Sequence, residues 1–285
     1  MKTMVCQSEI VKMTALNNLF IEMTAKFCNQ KCANCYIDFP QYKKVQDFID
    51  IDIVKSALED TKQEDIKCIY LTGAEPMTHP NFNAILRLCL KRANVCICTN
   101  GSFINEKKAR FLKKVSDETS NEIIFKISFN HYEEDKNDVS RCRGAYRQAI
   151  FGLKHLLKYD FMPIVVCTNF YNESYNSLFE NFQSVMKKIG MDLDSAHFHV
   201  IPFHDKNSVY DENFKHEYFS ADCSSGRILT AQGVYSCPFL ASDYRGWCGS
   251  SFKDYTKRCS LETSFCQTCL KSKKHLFGIN FSEFK

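Results

Sequence analysis

An α/β fold built on parallel strands is predicted for this 285-residue chain by three observations. Apolar runs of strand length alternate with stretches of helical period. No linker-like segment interrupts that alternation over the first two hundred residues. Polar or Gly-bearing segments follow the apolar runs, where an α/β fold gathers its ligands.

The elements follow in order. "NLFIEMTA" (18–25) reads as a strand, "IDIVKSALEDTKQ" (51–63) as a helix and "IKCIYLTG" (66–73) as a strand. "NFNAILRLCLKRA" (81–93) is helical, and "NVCICTNG" (94–101) is a strand ended by Asn-Gly. Next come a helix "EKKARFLKKV" (106–115), a strand "EIIFKISFN" (122–130) and an amphipathic helix "GAYRQAIFGLKHLLKY" (144–159). The strand "MPIVVCTNF" (162–170), a helix near 177–189 and the strand "AHFHVIPF" (196–203) complete the series. Six strands with five helices between them imply right-handed crossovers and an α/β layer or barrel. The strand ends carry "TGAEP", "TNGS", "SFN" and "CTNF". Beyond residue 205 the chain turns irregular and cysteine-rich, with a hairpin expected in "GRILTAQGVYSC" (226–237), turning at Ala231-Gln232-Gly233. The expected division is a core, 1–205, and an extension, 206–285.

Composition narrows the classes. With 45% hydrophobic and 13% aromatic residues the chain can bury a sizeable core. Its 37 basic and 33 acidic residues leave a net charge of +4, which demands neither nucleic acid nor an anionic membrane. Lys271, Lys273, Lys274 and His275 read as a solvated tail. No apolar run approaches the ~20 residues of a spanning helix, and "MKTMVCQSEIVKM" lacks a signal-peptide core. The expectation is a cytoplasmic protein whose sixteen cysteines serve as metal ligands or buried thiols.

"CNQKCANC" places Cys28, Cys32 and Cys35 on the loop after the first strand. Structural zinc wants four ligands, commonly from paired knuckles, and no fourth lies nearby. Iron–sulfur clusters accept cysteines spread along one loop. Three thiols on a four-iron cluster leave one iron open to an exogenous ligand.

The spacing Cys28-x3-Cys32-x2-Cys35, with "LTGAEP" (71–76) after the second strand, resembles the signature of the radical SAM superfamily. That resemblance spans nearly the whole chain and implies a partial (β/α)6 radical SAM barrel with a small C-terminal cysteine-rich, twitch-like extension. It implies a [4Fe–4S] cluster whose open iron is chelated by S-adenosylmethionine (SAM), and reductive cleavage of SAM to a 5′-deoxyadenosyl radical. Gly73, Ala74 and Glu75 resemble the family's Gly-Gly-Glu-Pro turn, which binds the methionine amino group, with Ala74 in place of the second glycine. Asn100 in "TNG", Ser128 and Asn130 in "ISFN", and Thr168 beside Asn169 match segments that face the cofactor, and Arg143 is placed to meet the SAM carboxylate. Asn34, where the family often has an aromatic residue or His, and Tyr36 join the expected SAM contacts.

The extension carries Cys223, Cys237, Cys248, Cys259, Cys266 and Cys269. "CQTC" is a metal knuckle, and "CSSGRILTAQGVYSCPFL" resembles the twitch extension, a reduced SPASM domain holding one auxiliary [4Fe–4S] cluster. The ligand set this implies is Cys223, Cys237, Cys266 and Cys269, with Cys248 or Cys259 able to replace one, and structural zinc as the alternative metal. Cys68, Cys89, Cys96, Cys98 and Cys167 read as small buried hydrophobes. Cys142, between Arg141 and Arg143, is open to a lowered pKa. His197 and His199 share one face of the last core strand, where packing competes with a substrate-facing role. Tyr132, Glu133, Glu134 and Asp135 read as a solvated acidic loop.

The implied function is a radical SAM enzyme abstracting hydrogen from a small molecule or peptide, fed by a flavodoxin or ferredoxin; no residue is singled out as a catalytic acid or radical relay. The segment before the first strand is short for a leader-binding domain, so a peptide substrate would need a separate recognition partner. The competing readings are a non-catalytic iron–sulfur or zinc protein, which leaves "GAEP" unexplained, and an RNA-modifying radical SAM enzyme, which the balanced charge does not favour.

Overall fold

A computed structural model describes residues 10–33, 35–37, 46–205, 207–214, 222–241 and 243–272. Asn34 and the basic residues Lys273, Lys274 and His275 lie outside them.

Eleven strands and seven α-helices are present among the described residues: β1 (Ile10–Lys12), β2 (Asn18–Thr24), α1 (Ile51–Asp60), β3 (Cys68–Gly73), α2 (Phe82–Leu90), β4 (Asn94–Thr99), α3 (Glu106–Asp117), β5 (Ile123–Ser128), α4 (Glu134–Ser140), α5 (Ala145–Lys158), β6 (Ile164–Asn169), α6 (Tyr175–Lys187), β7 (Phe198–Pro202), β8 (Gly226–Leu229), β9 (Val234–Tyr235), β10 (Trp247–Gly249), β11 (Arg258–Ser260) and α7 (Ser264–Ser272). Strands β2 to β7 run parallel and pair in chain order, which makes the core the α/β partial barrel expected. The parallel strands are apolar on both faces because both are covered. Leu19, Ile21, Ile69, Leu71, Val95, Ile97, Phe125 and Ile127 pack outward under the helices. Phe20, Cys68, Tyr70, Cys96 and Ile164 fill the inner face, where Cys68 and Cys96 serve as small hydrophobes.

Three features lie outside the expected pattern. The extension's hairpin, β8–β9, joins the main sheet, with β8 parallel to β2 in the register Asn18↔Gly226. A second small sheet pairs β1 with β11, antiparallel, and so ties residue 10 to residue 260. Residues 134–140 form α4 where a loop was expected.

Helix α5 positions the turn after β4. Gly152 on α5 lies so close to Gly101 that an added Cβ would stand 2.6 Å from the Gly101 carbonyl oxygen. Gly101 itself has φ +79, a region that favours glycine. Alanine in a helix gains about 1 kcal/mol over glycine in propensity, whereas overpacking against fixed backbone costs about 1–3 kcal/mol. Gly152→Ala is therefore expected to lower the melting temperature; a rise in thermal unfolding would refute the close approach.

Glu22, on the inner face of β2, is 4% exposed and its Oε2 has no hydrogen-bond partner. Burial pushes its carboxyl up to about 7. Through the window from the ordinary carboxylate range to that value the unfolded chain gives up a proton that the folded chain keeps. Stability from this group is therefore full at acid pH and falls as pH rises to neutrality, by on the order of 2–3 kcal/mol. Glu22→Gln is expected to raise the melting temperature near pH 8 and to leave it unchanged below the carboxylate range, which paired thermal melts would check.

Candidate active site

The carboxyl ends of the parallel strands open into one cavity. Its wall includes Cys28, Cys32, Cys35 and Tyr36 from the loop after β2, Gly73 and Ala74 after β3, and Asn100 after β4. Ser128 on β5 and Thr168 on β6 complete the set of expected residues that reach it.

Glycine at 73 is required by contact. Gly73 has φ +112, and a Cβ there would fall 2.3 Å from the Thr24 carbonyl oxygen. Ala74 takes no such conformation, and its N–H donates to the same oxygen at 2.7 Å. Alanine in place of the second glycine is therefore free of strain here.

Glu75 is fully buried and is not part of the cavity wall. Its Oε1 accepts from Met77 N–H at 3.1 Å and Thr99 Oγ1 at 2.8 Å, and its Oε2 accepts from Asn100 N–H at 3.0 Å. Burial pushes this carboxyl up, opposed by those three hydrogen bonds. The residue clamps the end of β3 to the end of β4.

Asn100 faces the cysteine loop. Its Nδ2 donates to Cys28 Sγ at 3.6 Å and to Asn29 Oδ1 at 3.0 Å. Gln30 N–H also donates to Cys28 Sγ, at 3.3 Å. Burial raises the Cys28 thiol to about 11. Two donors aimed at this sulfur fit a thiolate bound to iron, because N–H bonds to cluster sulfurs stabilise the anionic form.

The arginine expected at the SAM carboxylate is placed differently. Arg143 is exposed and outside the wall, and it is Arg141 that lines the cavity. Arg141 ends α4, where its Nε donates to Gln30 Oε1 at 3.1 Å and its Nη1 to Asn130 Oδ1 at 3.4 Å. Asn130 is buried and outside the wall; its N–H donates to Asn137 Oδ1 at 3.0 Å and its Nδ2 to Ser140 Oγ at 3.3 Å. It holds the α4 end that aims Arg141. Asp138 accepts from the N–H groups of Gly144 and Tyr146, which caps α5 and turns residue 143 outward. Burial pushes the Cys142 thiol up, against the lowering its neighbouring arginines suggested.

Several wall residues carry no local sequence signal. Lys126 is 6% exposed, with its ammonium 5.8 Å from the centre of the Tyr70 ring. Cys98, expected as a packing thiol, also reaches the wall, as do His199 and His204. His197 instead meets Asp194, with Nδ1 2.7 Å from Oδ1. Phe239 and Phe265 close the cavity from the extension, their rings stacked at 5.1 Å. Tyr36 meets Phe239 edge-on at 5.3 Å. Among the described residues the wall holds two cations, two histidines and no Asp or Glu, so its field favours bound anionic groups.

Phe239 follows Cys237 by two residues and Phe265 precedes Cys266, so the aromatic pair is joined in sequence to the second cysteine group. Cys223, Cys237, Cys259, Cys266 and Cys269 share one electrostatic neighbourhood. The Cys223 thiol is pushed up by its hydrogen bond to Cys259 and by burial, and the Cys237 thiol by burial and the thiols of Cys266 and Cys269. Thiols that disfavour one another's ionisation suit a site whose positive metal relieves the repulsion. The thiols of all four expected residues are thus linked by mutual electrostatic effects that Cys259 joins, while among the described residues no group of three His, Cys, Asp or Glu side chains is placed closely enough to hold a metal ion. Cys248 is buried beside Arg227.

The family model of the radical SAM superfamily matches residues 23–180, more than half of the chain. The chain belongs to the radical SAM superfamily. Membership brings SAM and a [4Fe–4S] cluster as the cofactors of its core. No curated protein matches the sequence. Among solved structures the chain is similar to native anSMEcpe with bound AdoMet, at 16% identity and a TM-score of 0.62, covering 84% of this chain and 79% of that one. It is also similar to Streptococcus suis SuiB bound to the precursor peptide SuiA, at 11% identity and a TM-score of 0.60, covering 82% of this chain and 62% of that one. A structure of anSMEcpe with AdoMet and Kp18Cys peptide is similar at 16% identity and a TM-score of 0.60, over 89% of this chain and 82% of that one. At these identities the likeness is one of fold. No helix among the described residues is long and apolar enough to cross a membrane.

Removing the Glu75 carboxylate would leave three buried donors without an acceptor. Glu75→Ala is expected to cost about 3–5 kcal/mol, read as a fall in unfolding midpoint. Retained stability in a denaturant titration would show that the clamp is dispensable.

Proposed function

We propose that this radical SAM enzyme abstracts hydrogen from a peptide or small molecule held between the cysteine loop after β2 and the aromatic pair of the extension. The observation that carries the proposal is the cavity itself, walled by Cys28, Cys32 and Cys35 on one side and by Phe239 and Phe265 on the other. Cys28, Cys32 and Cys35 would hold three irons of the core cluster, leaving the fourth for the amino and carboxylate groups of SAM. When bound and reduced, cluster and SAM together supply a 5′-deoxyadenosyl radical, the hard chemistry that side chains cannot perform.

The chain's own residues bind, orient and exclude water. Arg141, held by Gln30 and Asn130, supplies the cation for the SAM carboxylate. The Gly73-Ala74 turn lets the cofactor approach backbone, and Ser128 and Thr168 offer hydroxyls to it from β5 and β6. Tyr36, with its hydroxyl 3.5 Å from Thr72 Oγ1, bridges the cysteine loop to the barrel rim. Asn100 steadies Cys28. The Phe239–Phe265 pair shields the reacting space from solvent.

The second group, Cys223, Cys237, Cys266 and Cys269, would hold an auxiliary [4Fe–4S] cluster that anchors the substrate or takes up the product electron. Its link in sequence to the aromatic pair supports that role. A small electron carrier such as flavodoxin or ferredoxin would reduce the core cluster. That anSMEcpe and SuiB were captured with peptides favours a peptide substrate. A separate recognition partner would present it.

Anaerobic reduction of the reconstituted protein with SAM is expected to yield 5′-deoxyadenosine, and the combined Cys28→Ala, Cys32→Ala, Cys35→Ala variant to yield none. Absence of both nucleoside formation and SAM binding in the iron-loaded wild type would overturn the proposal.

A further inference from the structure

Arg227 on β8 is fully buried, with 0% exposure. Its Nη1 donates to the carbonyl oxygens of Cys223 at 2.8 Å and Gly226 at 2.7 Å. Its Nε and Nη2 have no hydrogen-bond partner. An arginine stays protonated in a protein, so this is a buried positive charge with three unused N–H bonds. Leaving a buried charge uncompensated costs several kcal/mol, which calls for an anion at this place.

The groups around the guanidinium are thiols and a phenol. The neutral Cys248 thiol is a weak hydrogen-bonding neighbour of the guanidinium, which also acts electrostatically on Cys259 and Tyr255. Tyr255 also has an unpartnered buried hydroxyl. Cys259 is the contact that leads onward, since its sulfur is hydrogen-bonded to Cys223 and acts on Cys266. Arg227 therefore reaches the second cysteine group by contact at the Cys223 carbonyl and by charge at Cys259. Neutral thiols give a guanidinium little. A group of metal-bound thiolates carries the net negative charge that it lacks.

We propose that Arg227 is the counter-charge of the auxiliary cluster: a positioning residue that acts through Cys223 and Cys259 and sets the cluster's reduction potential. The inference rests on the auxiliary-cluster reading above. A positive charge beside an iron–sulfur cluster favours the more negative, reduced state and so raises its potential. Removing that charge makes the cluster harder to reduce. The charge also opposes loss of the cluster, because an empty site leaves the guanidinium uncompensated.

The test uses the full chain carrying Cys28→Ala, Cys32→Ala and Cys35→Ala, so that any iron belongs to the second site. Iron and acid-labile sulfide are measured after anaerobic reconstitution, and the midpoint potential is followed by electron paramagnetic resonance during titration with dithionite. Four irons in this background uphold the auxiliary-cluster reading, and none overturns it independently of Arg227. Where the cluster is present, Arg227→Met is expected to move the midpoint to more negative potential, and Arg227→Lys to restore it at least in part. A midpoint unchanged in Arg227→Met would overturn the proposal, even if the melting temperature fell. Should Arg227→Met not fold, Arg227→Gln, which keeps N–H donors without the charge, is expected to give the same negative shift, and an unchanged midpoint there would equally overturn the proposal.

Discussion

A single carboxylate holds the working end of this barrel together. Parallel strands end in loops, and loops left to themselves wander; here the Glu75 side chain accepts from Met77, Thr99 and Asn100 and so joins the ends of β3 and β4 without exposure to water. Asn100, fixed at its backbone by that carboxylate, turns its amide to Cys28 and Asn29. Through those contacts the geometry of the cysteine loop depends on a residue at the end of the neighbouring strand. The cost of burying a charge is met by three directed hydrogen bonds, which makes the position intolerant of any group that cannot accept all three.

Two groups of cysteines flank the cavity. The first lies on the loop after β2 and lines the wall; the second is joined in sequence to Phe239 and Phe265, which line the cavity from the extension. Because β8 pairs in parallel with β2, the two sites are braced by one continuous sheet. Their separation is thus set by backbone hydrogen bonds rather than by a linker. Such bracing suits radical chemistry, in which a reactive carbon must be held within reach of its oxidant while water and stray side chains are kept away.

The core was legible because its signal is local and repeated. The parallel strands are predominantly apolar and the helices other than α4 have a clear stripe, so β2 to β7 and those helices fall within a few residues of the expected spans. Helix α4 was not, since "EEDKNDVS" has one apolar side chain, Val139, and that is 70% exposed. Strands β1, β10 and β11 are three residues each and carry no readable period. At the site, the cysteines and Gly73 are legible from spacing. That Arg141 and not Arg143 lines the cavity was hidden, for it depends on how α4 ends and how Asp138 caps α5. Lys126, Cys98, Phe239 and Phe265 come together only across the barrel, and no window of sequence contains that proximity.

The pairing of β1 with β11 bears on the order in which the protein can be assembled. Residues 10 and 260 meet in one ladder, a contact between nearly opposite ends of the chain, and such contacts are slow because a long loop must close before they form. The cysteine loop after β2 hydrogen-bonds to the ends of β3 and β4, to α4 and to α5, all of which leave the ribosome early. Cys259 sits in the last ladder itself. A metal held by the second cysteine group would thereby have to wait for a finished molecule, whereas the first cysteine loop can take shape on a nascent chain.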